Sequence, residues 1–273
     1  MKPGARILTA FRDALFPNKC SACGRFFHAG SHATKPLDPF SPIVSARLFE
    51  TIMAPFLCED CRPAFFPIES PKCKICGVMF KSRAGEDHIC GECLTANRRF
   101  NCIRAAGQYD GTFMTCIHRF KYKRKTQLAE PLGRLLFHAF ISYNELASPD
   151  VIMPVPLHPS RLKKRGFNQA ALMLAQWPAF FRQAGYPAPK IADDGRTLRR
   201  IRKTPAQTGL NRKHRKLNIR RAFTLPHPNK IQGKTILLVD DVCTTGATVD
   251  ECARILRSGG ADCVNVLTLA RAA

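Results

Sequence analysis

The stretch Ile236-Leu237-Leu238-Val239-Asp240-Asp241-Val242-Cys243-Thr244-Thr245-Gly246-Ala247-Thr248 constrains the fold more than any other part of the chain. It joins an apolar strand, two adjacent carboxylates and a short loop. Thr235 to Val239 is brief and rich in β-branched residues, as a strand covered on both faces of a sheet must be. α/β sheets bind ligands at the carboxyl ends of such strands. Beyond the loop, Val249, Cys252, Ala253 and Leu256 share one helical face, and Thr248-Val249-Asp250-Glu251 predicts a capping box with Thr248 as N-cap. Gly259-Gly260 ends that helix, and Cys263 to Leu269 returns as a second apolar strand. The backbone N–H groups of Thr244, Thr245, Gly246, Ala247 and Thr248, placed at a helix N-terminus, suit a phosphate monoester. Asp240 and Asp241 stand close enough to that cradle to accept hydrogen bonds from ribose hydroxyls or to face Mg²⁺. The unit therefore reads as a phosphosugar site. No Gly-Lys-Ser/Thr follows a glycine loop, which argues against an ordinary P-loop nucleotidase.

The amino-terminal half is organised differently. Eight of the 13 cysteines form four C-x-x-C pairs: Cys20/Cys23, Cys58/Cys61, Cys73/Cys76 and Cys90/Cys93. Two such turns bring four sulfurs to one Zn²⁺ at about 2.3 Å and close a tetrahedral site that has no room for a substrate water. Two structural zinc ions are expected. Sequential pairing joins Cys20/Cys23 with Cys58/Cys61 and Cys73/Cys76 with Cys90/Cys93; a cross-braced arrangement stays open. Disulfides are disfavoured, because Ile7, Leu8, Phe11, Ala14 and Leu15 read as a short amphipathic helix and not as a secretory segment. No apolar run reaches the roughly 20 residues of a membrane span, so the expected location is the cytoplasm. His88 reads as a solvated loop residue. Of the remaining cysteines, Cys102, Cys116, Cys252 and Cys263 read as small core residues, and Cys243, in the phosphate loop, as a candidate reactive thiol.

The composition turns polar and basic from Thr95 to Phe100, which places a boundary between a segment 1–100 and a domain 101–273. Phe113, Ile117 and Phe120 predict one helix, and Leu128, Leu132, Leu135, Leu136 and Ala139 another. Val151 to Val155 is a strand candidate that ends in a stiff Pro154-Val155-Pro156 turn, followed by a basic loop, Leu157 to Gly166, with Arg161, Lys163, Lys164 and Arg165. Arg196 to Arg221 holds eleven Lys or Arg and no carboxylate, and reads as a mobile loop or a nucleic-acid contact. A net charge of +23 points to phosphate-rich partners, and Phe120 and Tyr122 are candidate stacking platforms.

Four apolar residues followed by Asp240-Asp241-Val242-x-Thr244-Thr245-Gly246-x-Thr248 resemble the phosphoribosyl pyrophosphate signature of type I phosphoribosyltransferases. That resemblance implies a parallel sheet with flanking helices. It implies Mg²⁺-phosphoribosyl pyrophosphate as ligand, with its pyrophosphate met by Arg161, Lys163, Lys164 and Arg165. A flexible basic loop would close over it, where Arg200, Arg202, Lys203, Thr204, Gln207 and Arg212 stand. Together with the four cysteine pairs, Phe120-Lys121-Tyr122, Pro154-Val155-Pro156-Leu157, Arg165-Gly166-Phe167-Asn168-Gln169 and Arg199 to Gln207, the motif resembles the ComF family, including ComFC and GntX-like proteins. The family resemblance implies a double zinc ribbon before a phosphoribosyltransferase-like domain. For competence members it implies handling of single-stranded DNA and a competence helicase as partner. A transferase of nucleotide metabolism with an unknown acceptor and a catalytically silent zinc-dependent nucleic-acid binder are the rival expectations.

Overall fold

A computed structural model describes residues 17–28, 43–192, 195–204 and 217–272. The expected helix around Ile7 to Leu15 lies outside them, as do Gln207 and Arg212. The centre of the molecule is a five-stranded sheet built from β3 (Ile103–Gln108), β4 (Val151–Pro154), β5 (Lys190–Ile191), β8 (Thr235–Cys243) and β9 (Cys263–Arg271). Its order is β3-β9-β8-β4-β5, and every neighbouring pair is parallel. Two short antiparallel ribbons flank it: β1 (Asn18–Lys19) with β2 (Phe26–Phe27), and β6 (Arg199–Arg200) with β7 (Phe223–Thr224).

The strands alternate between two cores, because successive side chains of a strand point to opposite faces. Ile152, Leu237, Val239, Leu267 and Leu269 face one layer; Val151, Met153, Ile236, Leu238, Val264 and Val266 face the other. The first layer contains α1 (Ala46–Met53), α3 (Gly111–Tyr122), α4 (Ala129–Ser142), α6 (Gln169–Leu174) and α7 (Trp177–Gln183), while the short α2 (Gly91–Thr95) belongs to a separate cysteine cluster. In α3 the buried Phe113, Cys116, Ile117 and Phe120 follow the three- and four-residue spacing of one helical face. A Cβ on Gly133 of α4 would collide with the Met173 carbonyl oxygen, so a larger residue cannot let α6 come this close. The second layer receives α8 (Ala247–Ser258) through Val249, Cys252, Ala253 and Leu256, as their periodicity predicts.

Three expectations change. The signature strand does not stop at Val239 but runs to Cys243, because β9 is long enough to pair Asp240 with Thr268 and Cys243 with Arg271. Residues 159–165 are not loop but α5 (Pro159–Arg165): His158 caps its start, Pro159 fits the first turn, and Gly166 at φ 88° ends it. Phe120 is fully buried, so it is a core residue and not a stacking surface.

Candidate functional site

In the sheet, β4 passes outward to β5 and β8 passes to β9 on the opposite side. The carboxyl ends of β4 and β8 therefore flank the point where the winding diverges, the usual position of a ligand crevice in an open α/β sheet. Val155 N–H donates to the Val239 carbonyl at 2.8 Å and holds the two strand ends together. A separate apolar cavity of about 450 Å³, lined by Phe140, Tyr143, Pro149, Phe181 and Tyr186, opens beside the amino ends of β4 and β5. Apart from tyrosine hydroxyls, none of these side chains can titrate.

At these strand ends, β8 presents both carboxylates. Asp240 is half-buried as a residue, yet enclosure of its carboxyl, followed by the neighbouring charge of Asp241, raises its pKa to about 7. Its Oδ1 accepts the Asp241 N–H at 2.8 Å. Asp241 is buried and ion-paired: Lys121 Nζ, at the end of α3, lies 2.7 Å from its Oδ1. Burial opposes the lysine charge, but Asp241 and Asp240 outweigh it and hold Lys121 above the usual lysine range. The Phe120-Lys121-Tyr122 string marked this position in the sequence, but not its partner.

The loop after β8 leads into α8 through Gly246, whose φ of 77° is a left-handed conformation that glycine adopts without strain. Gly246, not Thr248, is the N-cap. The expected capping box fails because the Glu251 carboxylate is taken by Arg254 and by the Arg221 N–H at 2.7 Å. Arg271 holds the loop from behind, donating from Nη1 to the carbonyls of Cys243, Thr244 and Ala272. Its Nε donates to the Cys76 carbonyl at 2.9 Å and so ties the loop to the cysteine-rich region. Nothing in the sequence singled out Arg271. Cys243 is buried and burial pushes its thiol up, so it lacks the character of a reactive thiolate.

Opposite the carboxylates stand two guanidinium groups. Arg161 of α5 donates to the Thr204 carbonyl at 2.8 Å, and Arg200 of β6 donates to the Thr204 hydroxyl at 2.6 Å. Arg200 is only 6% exposed, and its buried Nε has no hydrogen-bond partner among the described residues. Burial, then the charge of Arg161, lowers its pKa to about 10, while Asp240 acts in the other direction. Burial and Arg165 likewise lower Arg161. Both guanidinium groups thus converge on Thr204. Lys163, Lys164 and Lys203 are exposed; Arg202 is exposed too and donates to the carbonyls of Asn218 and Arg220.

The cysteines assemble in sequential order. The sulfurs of Cys20, Cys23, Cys58 and Cys61 lie within 4.8 Å of one another, as do those of Cys73, Cys76, Cys90 and Cys93. The Cys23–Cys58 and Cys76–Cys90 separations of 3.7 and 3.8 Å match the edge of about 3.8 Å that a tetrahedral Zn–S length of about 2.3 Å requires. Burial alone would raise the Cys20 thiol, but backbone N–H groups of Cys58, Cys23 and Ala22 outweigh it and lower it to about 6. Donors from Cys90, Cys76 and Ile75 likewise lower Cys73 to about 7. Both groups fit a structural zinc ion. His88 is exposed, stacks on Phe80 and stays outside the cluster.

The Phosphoribosyl transferase domain model matches residues 197–273. The DNA utilization protein YhgH of Salmonella typhi is 32% identical over 237 residues, 81% of this chain and 99% of that protein. Competence protein F of Haemophilus influenzae is 31% identical over 79% of this chain and 90% of that protein. The chain belongs to the ComF family. Competence protein ComFC of Bacillus subtilis is a more distant ComF relative, 25% identical over 79% of this chain and 84% of its own. The ComF architecture is thus a phosphoribosyltransferase-like parallel sheet preceded by two Cys₄ groups. No helix among the described residues is long and apolar enough to cross a membrane.

Proposed function

We propose that this chain binds Mg²⁺-phosphoribosyl pyrophosphate in the crevice between β4 and β8, and acts on single-stranded DNA in the cytoplasm during natural transformation. The observation that carries the ligand assignment is the electrostatic approach of Asp240, beside Asp241, to Arg200, whose buried Nε has no hydrogen-bond partner among the described residues and whose neighbour is Arg161. A phosphosugar bearing a pyrophosphate offers a diol to the carboxylates and an anion to the guanidinium groups. In this reading the amides of Thr244 to Thr248 take the 5′-phosphate, and Arg161, Lys163, Lys164, Arg165, Arg200, Arg202 and Lys203 meet the pyrophosphate. Bound Mg²⁺ would neutralise that pyrophosphate. Lys121 would release Asp241 to the ribose hydroxyls. If an acceptor attacks C1, departure of pyrophosphate is favoured by the guanidinium groups, an electrostatic contribution that needs no covalent partner in the protein. We also propose the division into a zinc segment 1–100 and a ligand-binding domain 101–273.

Hydrogen bonds to a charged group contribute about 1.5 to 3 kcal/mol, so Asp240→Asn or Asp241→Asn should weaken the ligand about ten- to hundred-fold by calorimetry. Unchanged affinity in both variants would reject the assignment. Affinity for single strands should fall about three-hundred-fold between roughly 50 and 200 mM salt if about six phosphates are contacted, and a flat response would remove DNA from the proposal.

A further inference from the structure

The end of α3 and the whole of α5 form one continuous cationic face. Lys123, Arg124 and Lys125 follow Tyr122, while Lys163, Lys164 and Arg165 close α5. Arg124, at φ 52°, donates to the Lys164 carbonyl at 3.1 Å and fixes the two segments together. No carboxylate occurs in the sequence between Asp110 and Glu130, nor between Asp150 and Asp193, so these charges have no acidic neighbours along either segment.

One aromatic ring stands in the middle of this face. Tyr122 is 58% exposed, whereas Phe120 is buried. The Arg165 guanidinium lies over its ring at 5.2 Å from the centroid, and His118 meets it edge-on at 5.6 Å. Two neighbours thus orient the ring of a residue that stays largely exposed. An exposed tyrosine held by a cation within a lysine-rich surface has the chemistry of a base-stacking platform beside a phosphate track.

We infer that this α3–α5 face docks single-stranded nucleic acid, with one unpaired base stacked on Tyr122 and the backbone running over Lys123 and Lys125. The inference rests on the proposed action on single strands and adds where the strand lies. Because Lys121 pairs with Asp241, a strand seated on Tyr122 passes beside the mouth of the phosphosugar crevice. Duplex DNA offers no free base face, so its binding draws on the lysines alone.

The test is anisotropy of labelled oligothymidylate with the full chain. Stacking on one aromatic residue accounts for roughly a five- to hundred-fold share of affinity, so Tyr122→Ala should lose that much and Tyr122→Phe should keep it. Lys123→Glu with Lys125→Glu should weaken binding further and flatten its salt dependence. Tyr122→Ala should leave duplex binding as in the wild type. Wild-type affinity for oligothymidylate in Tyr122→Ala would overturn this placement while leaving the proposed function standing. An equal loss for duplex DNA would also overturn it, since the ring would then shape the surface and not hold a base. Absence of single-strand binding by the unaltered protein would sink the DNA part of the proposed function and this inference with it.

Discussion

The two Cys₄ groups use the same spacing but sit in different surroundings. The first belongs to the large core: Cys20, Ala22 and Cys58 share it with Leu48, Phe49, Met53, Leu57, Phe65 and Phe113. Phe49 stacks on Phe65 with centroids 4.5 Å apart, and both meet Phe113 edge-on. The second has a small cluster of its own, Cys73, Cys76 and Cys93 with Ile75, Val78, Phe80 and Cys90 around them. What it has in addition is a set of hydrogen bonds into the sheet: Ile103 N–H to the Ile75 carbonyl at 2.7 Å, Arg104 to the Lys74 carbonyl, and Arg271 to the Cys76 carbonyl. One group would be stabilised by apolar burial as well as by a bound metal, whereas the other would depend chiefly on metal and stands next to the loop at residues 244–248. Equal coordination chemistry therefore does not imply equal consequence.

The largest expected effect is metal removal at the second group. A structural zinc ion contributes on the order of 10 kcal/mol, more than so small a cluster replaces. Cys73→Ser or chelation should release residues 72–93 and, through Arg271, loosen residues 244–248, seen as lost hydrogen-exchange protection in both segments. Cys20→Ser should lower stability while leaving protection at 244–248 intact; the same loss in both variants would erase the distinction between the groups. A smaller effect isolates the tether. Arg271→Lys keeps the charge but not the fork of donors, and should weaken phosphosugar binding about tenfold with the Cys₄ groups still formed, as read by calorimetry beside metal content.

The smallest effect belongs to the crevice alone. Because the folded carboxyl of Asp240 titrates near 7, above its unfolded value, the folded state binds more protons between those two values, and this group's contribution to stability falls as pH rises through that window. Asp240→Asn should remove that slope, shown by thermal midpoints measured from pH 5 to about 8. Phosphosugar affinity in the wild type should rise as pH passes about 7, since an ionised Asp240 is the better acceptor.

Local features were legible in the sequence. The C-x-x-C turns mark which sulfurs act as pairs, though not which pairs share a site, and the unbroken apolar run Thr235 to Val239 marks a strand covered on both faces. Features that depend on distant partners were not. Arg271 and Cys76 are 195 positions apart, and no period or motif links them. Lys121 sits at the end of an amphipathic helix, where a cation is ordinary, and only the fold brings it to Asp241. The basic run at 161–165 read as a loop because its start is capped by His158, an unusual cap, through Nδ1 accepting the Ser160 N–H at 3.2 Å. Thr248 resembled an N-cap, but the chain turns two residues earlier at Gly246, where only backbone conformation, not side-chain chemistry, decides.

The most direct measurement is a structure of the full chain with Mg²⁺-phosphoribosyl pyrophosphate. The 5′-phosphate is expected on the amides of residues 244–248, the ribose hydroxyls on Asp240 and Asp241 with Lys121 displaced, and the pyrophosphate against Arg161 and the Nε of Arg200. A ligand seated in the apolar cavity beside Tyr143 and Tyr186, or the Lys121–Asp241 pair unbroken with no density between β4 and β8 at saturating ligand, would contradict this placement.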